Sequence, residues 1–197
     1  MTLDPSGPLV PAATSAHLHA DATRELTAYR PLDPAQRRLQ EEYLAHLTAH
    51  PNAMDKSGPP AHLTASCVVL DETGEEVLLT LHRKARRWFQ FGGHYEVSDL
   101  DVHGAAMREA REESGIPTVT PIPGIAQLDR HELFGDFQRC QVHLDIRFVA
   151  QVPRMVEPVV SGESLDVRWW PVASLPDGPD SEISALVSAG RRHLGLT

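Results

Sequence analysis

The stretch that most constrains this chain is Gly92–Ile116, GGHYEVSDLDVHGAAMREAREESGI. A glycine-rich entry is followed from about Val102 by good helix formers through Glu113, and Gly115 stands where a left-handed residue closes a helix. At 3.6 residues per turn, Glu109, Glu112 and Glu113 fall at i, i+3 and i+4 on one face, beside an apolar stripe of Ala106, Met107 and Ala110. Three carboxylates so placed repel one another. A hard divalent cation with oxygen ligands, such as Mg²⁺, would offset that repulsion and could bridge the carboxylates to phosphates. The alternative is a solvated acidic face neutralised by Arg108 and Arg111.

The flanking sequence supplies a mixed α and β frame. Asp33-Pro34-Ala35-Gln36 combines an N-cap acid, a first-turn proline and a capping-box glutamine, and predicts an amphipathic helix through Leu39, Tyr43, Leu44 and Leu47 that ends before Pro51. Leu63–Leu70 and Val77–His82 read as strands joined by a turn at Asp71-Glu72-Thr73-Gly74. Ile125–Arg130 is a weaker strand. In the clearest one, Val142, Leu144, Ile146 and Phe148 alternate with Gln141, His143, Asp145 and Arg147. A short strand at Val167–Trp170 and a helix over Ser181–Leu194 follow. Residues 1–32, rich in Pro, Ala, Ser and Thr at their start, are expected to be a flexible or loosely docked arm without chemistry; 33–58 hold a helix and linker, and 59–197 the main domain.

Composition narrows the function. With 18 Lys and Arg against 27 Asp and Glu, the formal charge of −9 disfavours bulk binding to nucleic acid or anionic membranes. Cys67 and Cys140 lie in apolar alternating segments without metal spacing, which predicts two buried thiols in a reducing, cytoplasmic setting. The N-terminus reads as neither signal peptide nor membrane span. Eleven histidines form no HxxxH or HExxH, so no zinc site is expected. Phosphate-cradling GxxxxGK[ST], dinucleotide-binding GxGxxG and GxSxG nucleophile motifs are absent.

The residues Gly92-Gly93-His94-Tyr95-Glu96 and Arg108-Glu109-Ala110-Arg111-Glu112-Glu113-Ser114-Gly115-Ile116 resemble the Nudix box, G-x5-E-x7-R-E-U-x-E-E-x-G-U with U a bulky apolar residue. Two departures stand out: Asp99 takes the place of the first glutamate, and eight residues rather than seven separate it from Arg108. The resemblance implies an α/β/α sandwich with a mixed central sheet over roughly residues 60–197. It also implies a Nudix-type pyrophosphohydrolase that uses Mg²⁺, with Mn²⁺ as the alternative, to cut the diphosphate linkage of a nucleoside diphosphate derivative or nucleoside triphosphate. Carried over, Glu109, Glu112 and Glu113 are metal ligands, Gly93 lends its carbonyl oxygen, and Arg108 orients the glutamates. Asp99 has two readings, a metal-side role or a helix-start cap. Glu96 matches a glutamate near the substrate diphosphate. The general base is Glu109 itself or a later acid such as Glu163, with Glu157 and Asp166 competing. A homodimer is likewise expected by resemblance.

Beside the box, His82-Arg83-Lys84-Ala85-Arg86-Arg87 concentrates basic side chains where phosphates would arrive, so Arg83 and Arg87 are candidate substrate contacts; a solvated loop is the alternative. Trp88, Phe89, Phe91 and Tyr95 are either stacking partners for a base or core residues. Two other functions compete. One is a non-catalytic Nudix-like binding or regulatory module, against which the three retained glutamates argue. The other is an isopentenyl-diphosphate-isomerase-like enzyme, suggested by Trp88-Phe89-Gln90-Phe91-Gly92-Gly93-His94, although Gly92 stands in the place of that relative's catalytic cysteine. His131, near where ADP-ribose-cleaving relatives often carry proline, argues against that substrate.

Overall fold

The computed structural model describes residues 13–133, 140–162, 164–176, 178 and 181–196. Along the chain come helices α1 (Ala13–Ala28) and α2 (Pro34–Ala49), strands β1 (Ala61–Leu70), β2 (Glu76–His82), β3 (Trp88–Phe89) and β4 (Phe91–Gly93), and helix α3 (Val102–Ser114). Strands β5 (Gln127–Glu132), β6 (Val142–Gln151) and β7 (Ser164–Pro171), a short 3₁₀ turn and helix α4 (Glu182–His193) complete it. The sheet runs β3-β2-β1-β6-β5, with β4 pairing β1 and β7 pairing β2. Among the described residues only the central pair β1–β6 is parallel, in register from Ala61↔Val142 to Leu70↔Gln151. This is the expected α/β sandwich on a mixed sheet.

Side-chain alternation divides the sheet into two faces. Leu63, Ala65, Cys67 and Val69 of β1, with Leu144, Ile146, Phe148 and Ala150 of β6, face a core built from α1, α2 and α3. On the opposite face Val68, Leu70 and Val149 pack with Ile183, Leu186 and Val187 of α4. That second face turns polar toward the strand starts: His62, Thr64 and Ser66 on β1 stand in register with His143, Asp145 and Arg147 on β6. Asp145 and Arg147 are nevertheless buried, because β6 is a central strand with both faces covered. The alternation that marks β6 as a strand therefore distinguishes an apolar core face from a cleft floor.

Part of the expected arm is a docked helix. Leu18, Ala22 and Leu26 of α1 recur every fourth residue and are buried in the main core, a periodicity masked in the sequence by surrounding Ala, Thr and His. Asp21 on α1 accepts the N–H of Val102 at 2.8 Å, and His17 Nε2 lies 2.8 Å from the carbonyl of Asp99. This helix thus holds the loop leading into α3. Asp33 caps α2 by accepting from Gln36 N, but the Gln36 side chain does not return to complete a box; it bonds the N–H and carbonyl of Leu128 on β5 at 2.7 and 2.9 Å. Among the described residues no helix is long and apolar enough to cross a membrane.

Candidate active site

Helix α3 begins at Asp101, whose side chain accepts from Gly104 N, and ends at Gly115 in the left-handed region with φ 67°. Asp99 is therefore not the cap. Its buried carboxylate receives Arg108 Nε at 2.8 Å and Nη2 at 3.0 Å, a two-pronged pairing, together with Glu96 N at 2.8 Å. Arg108 further donates to the His94 carbonyl at 3.0 Å, Glu109 Oε1 at 2.9 Å and Glu112 Oε2 at 3.2 Å. One guanidinium thus ties the glycine loop to the acidic helix and neutralises part of its charge.

Small residues allow the close approach. Ala105, Ala106 and Ala110 are buried against the sheet, and β4 presents Gly92 and Gly93 opposite Ser66 and Ala65 of β1. A Cβ at Gly93 would lie 2.6 Å from Glu109 Oε1, so the Glu109 carboxylate sits directly on that glycine. Glu113 is buried and accepts Gly92 N at 3.0 Å, whereas the Glu112 side chain is 61% exposed. Burial raises the Glu109 carboxyl above its ordinary pKa despite the opposing charge of Arg108, and Glu112 and Asp99 add to the rise. This acidic cradle of Glu109, Glu112 and Glu113 offers the oxygen donors that a hard divalent cation takes.

The cleft beside this cradle is open to solvent and is lined by Gly92, Gly93 and Glu113, by Arg87, Trp88 and Phe89, and by the polar floor of β1 and β6. Of the four aromatics weighed for stacking, only Trp88 and Phe89 reach it. Phe91 and Tyr95 are core residues, and the Tyr95 hydroxyl donates to the Thr64 carbonyl. Trp88 meets Trp170 edge-on and carries Arg168 over its ring. Arg83 does not line the cleft; its guanidinium donates to the carbonyls of Gly162 and Ser164 at 3.1 and 2.9 Å. Glu96 lies at the cradle's edge, 60% exposed and 3.9 Å from Arg108 Nη1. Glu163 lies outside the described residues. Glu157 is exposed and Asp166 is paired with Arg168, and neither lines the cleft.

The floor is the part that sequence reasoning missed. Asp145 accepts from Thr64, Ser66 and Arg147 at 3.0, 2.7 and 3.0 Å. Arg147 in turn donates to Gln127 and Asp129, and Asp129 also holds His131 at 2.9 Å. The polar register of His62-Thr64-Ser66 against His143-Asp145-Arg147 was the available signal, but it depends on a parallel pairing of strands about 80 residues apart.

The NUDIX domain profile matches residues 60–188. Among solved structures, the chain is similar to a hydrolase of the NUDIX family from Clostridium perfringens, with 28% identity, 66% of this chain and 94% of that chain covered, and a TM-score of 0.47. It is also similar to the MutT protein from Methanosarcina mazei Go1, at 21% identity with coverage of 69% and 96% and a TM-score of 0.52. A third likeness is to the NUDIX domain of Shewanella oneidensis NrtR complexed with ADP ribose, at 21% identity with coverage of 78% and 97% and a TM-score of 0.52. No curated protein sequence matches significantly.

Proposed function

The chain belongs to the NUDIX domain family, and from that premise we propose that it is a Mg²⁺-dependent hydrolase, with Mn²⁺ as the alternative ion, that cuts the diphosphate linkage of a nucleoside diphosphate derivative or nucleoside triphosphate. The observation that carries this reading is the placing of Glu109 and Glu112 on Arg108, with Glu109 against Gly93 and Glu113 against Gly92. Those glutamates and the Gly93 carbonyl would hold the ion. When bound, such an ion acts as a Lewis acid on phosphoryl oxygens and makes water a stronger nucleophile.

The protein's own part is positioning. Arg108 orients Glu109 and Glu112 through hydrogen bonds and fixes the loop through Asp99. Glu109, with its proton affinity raised by burial, is one candidate to take the proton from attacking water; Glu163 is the other. Glu96 at the cradle's edge, and Arg87 and Trp88 on the cleft wall, would contact the substrate. Arg83, committed to backbone carbonyls, would shape the wall behind them rather than grip phosphate.

Incubating the purified protein with nucleoside triphosphates, nucleotide sugars, dinucleoside polyphosphates, ADP-ribose and isopentenyl diphosphate plus Mg²⁺, with products resolved by mass, tests the reading. Hydrolysis of a phosphoanhydride is expected. Isomerised isopentenyl diphosphate, or no turnover with either Mg²⁺ or Mn²⁺, would overturn it. A second expectation follows from the glycines. Gly93→Ala should displace the flexible end of Glu109 and weaken Mg²⁺ binding about 10–100-fold with little loss of stability. Gly92→Ala meets Ser66 Cβ at 2.4 Å and the Ala65 carbonyl at 2.8 Å, and should destabilise the fold by about 1–3 kcal/mol. Metal titration and urea unfolding of the two variants separate these effects.

A further inference from the structure

On the polar half of the β1–β6 face, four side chains from three chain segments converge: His62 on β1, His94 just after β4, and Cys140 and His143 at the start of β6. Each offers one ligand atom, and those atoms all lie within 4.8 Å of one another. We propose that His62, His94, Cys140 and His143 form a second metal site, separate from the acidic helix, for a tetrahedral, thiophilic divalent ion of the zinc class.

The donor set selects the ion. Three imidazoles and a thiol are poor ligands for Mg²⁺ but match the nitrogen and sulfur ligands of closed structural zinc sites. The distances fit as well: ligands about 2.0–2.3 Å from a tetrahedral ion stand roughly 3.3–3.8 Å from one another. His62 Nε2 and His94 Nε2 are already 3.0 Å apart. The remaining separations are no more than 4.8 Å. His62 and His143 are held opposite each other by the parallel register, so two of the four ligands rest on the paired central strands of the sheet.

The surroundings of the rings also suit ligation. His62 Nδ1 lies 3.1 Å from the Pro59 carbonyl, which fixes the proton there and turns the Nε2 lone pair toward His94; an outer carbonyl of this kind commonly orients a metal-bound imidazole. His143 Nε2 is buried without a hydrogen-bond partner, a costly state for a polar atom unless something else engages the ring. The His143 ring centroid lies 5.2, 5.0 and 5.2 Å from those of His62, His94 and His131. Cys140 is a free, half-buried thiol that can supply the negative charge.

An ion here would pin the starts of β1 and β6 to the residue that follows Gly93. Because the His94 carbonyl receives Arg108, the site would also stiffen the loop carrying the first active-site contacts. The absence of a zinc spacing in the sequence is thus offset by the fold, which assembles the set from residues up to 81 positions apart, a span given by 143 − 62. Cys140 and His143 alone are close in sequence.

The test reads metal rather than turnover, so it is independent of the hydrolase reading. The full-length protein, purified without chelator and dialysed, is analysed for metal content; the metal-free protein is then titrated with Co²⁺. One zinc-class ion per chain is expected, along with the intense visible bands of tetrahedral Co²⁺ and a near-ultraviolet thiolate-to-cobalt band. Cys140→Ser should abolish the thiolate band. His94→Gln, at a half-buried position, should weaken Co²⁺ binding by more than about 100-fold, beyond the loss caused by removing a mere supporting partner. Glu113→Gln should leave both features intact. A protein with no stoichiometric ion and no tetrahedral spectrum, or a spectrum lost in Glu113→Gln but kept in Cys140→Ser, would overturn the proposal. Circular dichroism of each variant confirms that folded protein is being compared.

Discussion

Glu113→Gln and Glu112→Gln are each expected to lower Mg²⁺-dependent kcat by about 10²–10³-fold, the size of effect seen when one preorganised charge-stabilising group is removed from an active site. The exchange keeps side-chain shape. At position 113 an amide oxygen can still accept the Gly92 N–H now 3.0 Å from Oε2, so β4 and α3 remain joined. Glu112 is 61% exposed, and losing its charge relieves repulsion from its neighbours, so that variant should be at least as stable as the parent. Steady-state kinetics beside thermal unfolding checks this: a large fall in kcat with an unchanged midpoint supports a chemical role. Undiminished turnover in both variants would return the acidic face to the status of solvated surface.

Arg108→Met should be the most damaging single change to stability, at about 3–5 kcal/mol, because it leaves a buried charge without its partner. The Asp99 side chain is only 3% exposed and receives two bonds from Arg108, whose own side chain is 17% exposed. The loss should be partly reversed by Asp99→Asn in the same chain, since the uncompensated charge is then gone. Removing the Arg168 charge from its more exposed pair with Asp166 should cost no more than about 1 kcal/mol. Urea unfolding of the four proteins measures all of this. Equal costs for the two arginines would mean that Arg108 is no more than a surface cation.

The acidic helix was legible because its information is local. The order Arg108-Glu109-Ala110-Arg111-Glu112-Glu113 fixes which side chains share a face, and Gly115 fixes where the helix stops. Other readings failed where a residue's partner lies far along the chain. Asp99 has the chemistry of a cap, yet nothing nearby in sequence reveals that Arg108 takes both its oxygens while Asp101 caps the helix. Gln36 completes the pattern of a capping box but finds β5 instead. The alternation in β6 predicts a strand, but not that its polar side faces a covered cleft, since that depends on pairing with β1. The first helix escaped notice because short side chains dilute its apolar stripe. The four-residue histidine and cysteine cluster is the extreme case, with every ligand ordinary until the sheet forms.

The acidic helix should be both where the ion binds and where turnover depends on it. Titrating metal-free protein with Mn²⁺ and following bound Mn²⁺ by electron paramagnetic resonance, while measuring phosphoanhydride hydrolysis in the same samples, joins the two. Turnover rising in step with Mn²⁺ occupancy, and both lost in Glu113→Gln, is the predicted result. Turnover that persists without metal, or Mn²⁺ occupancy unaffected by the substitution while activity disappears, would contradict it.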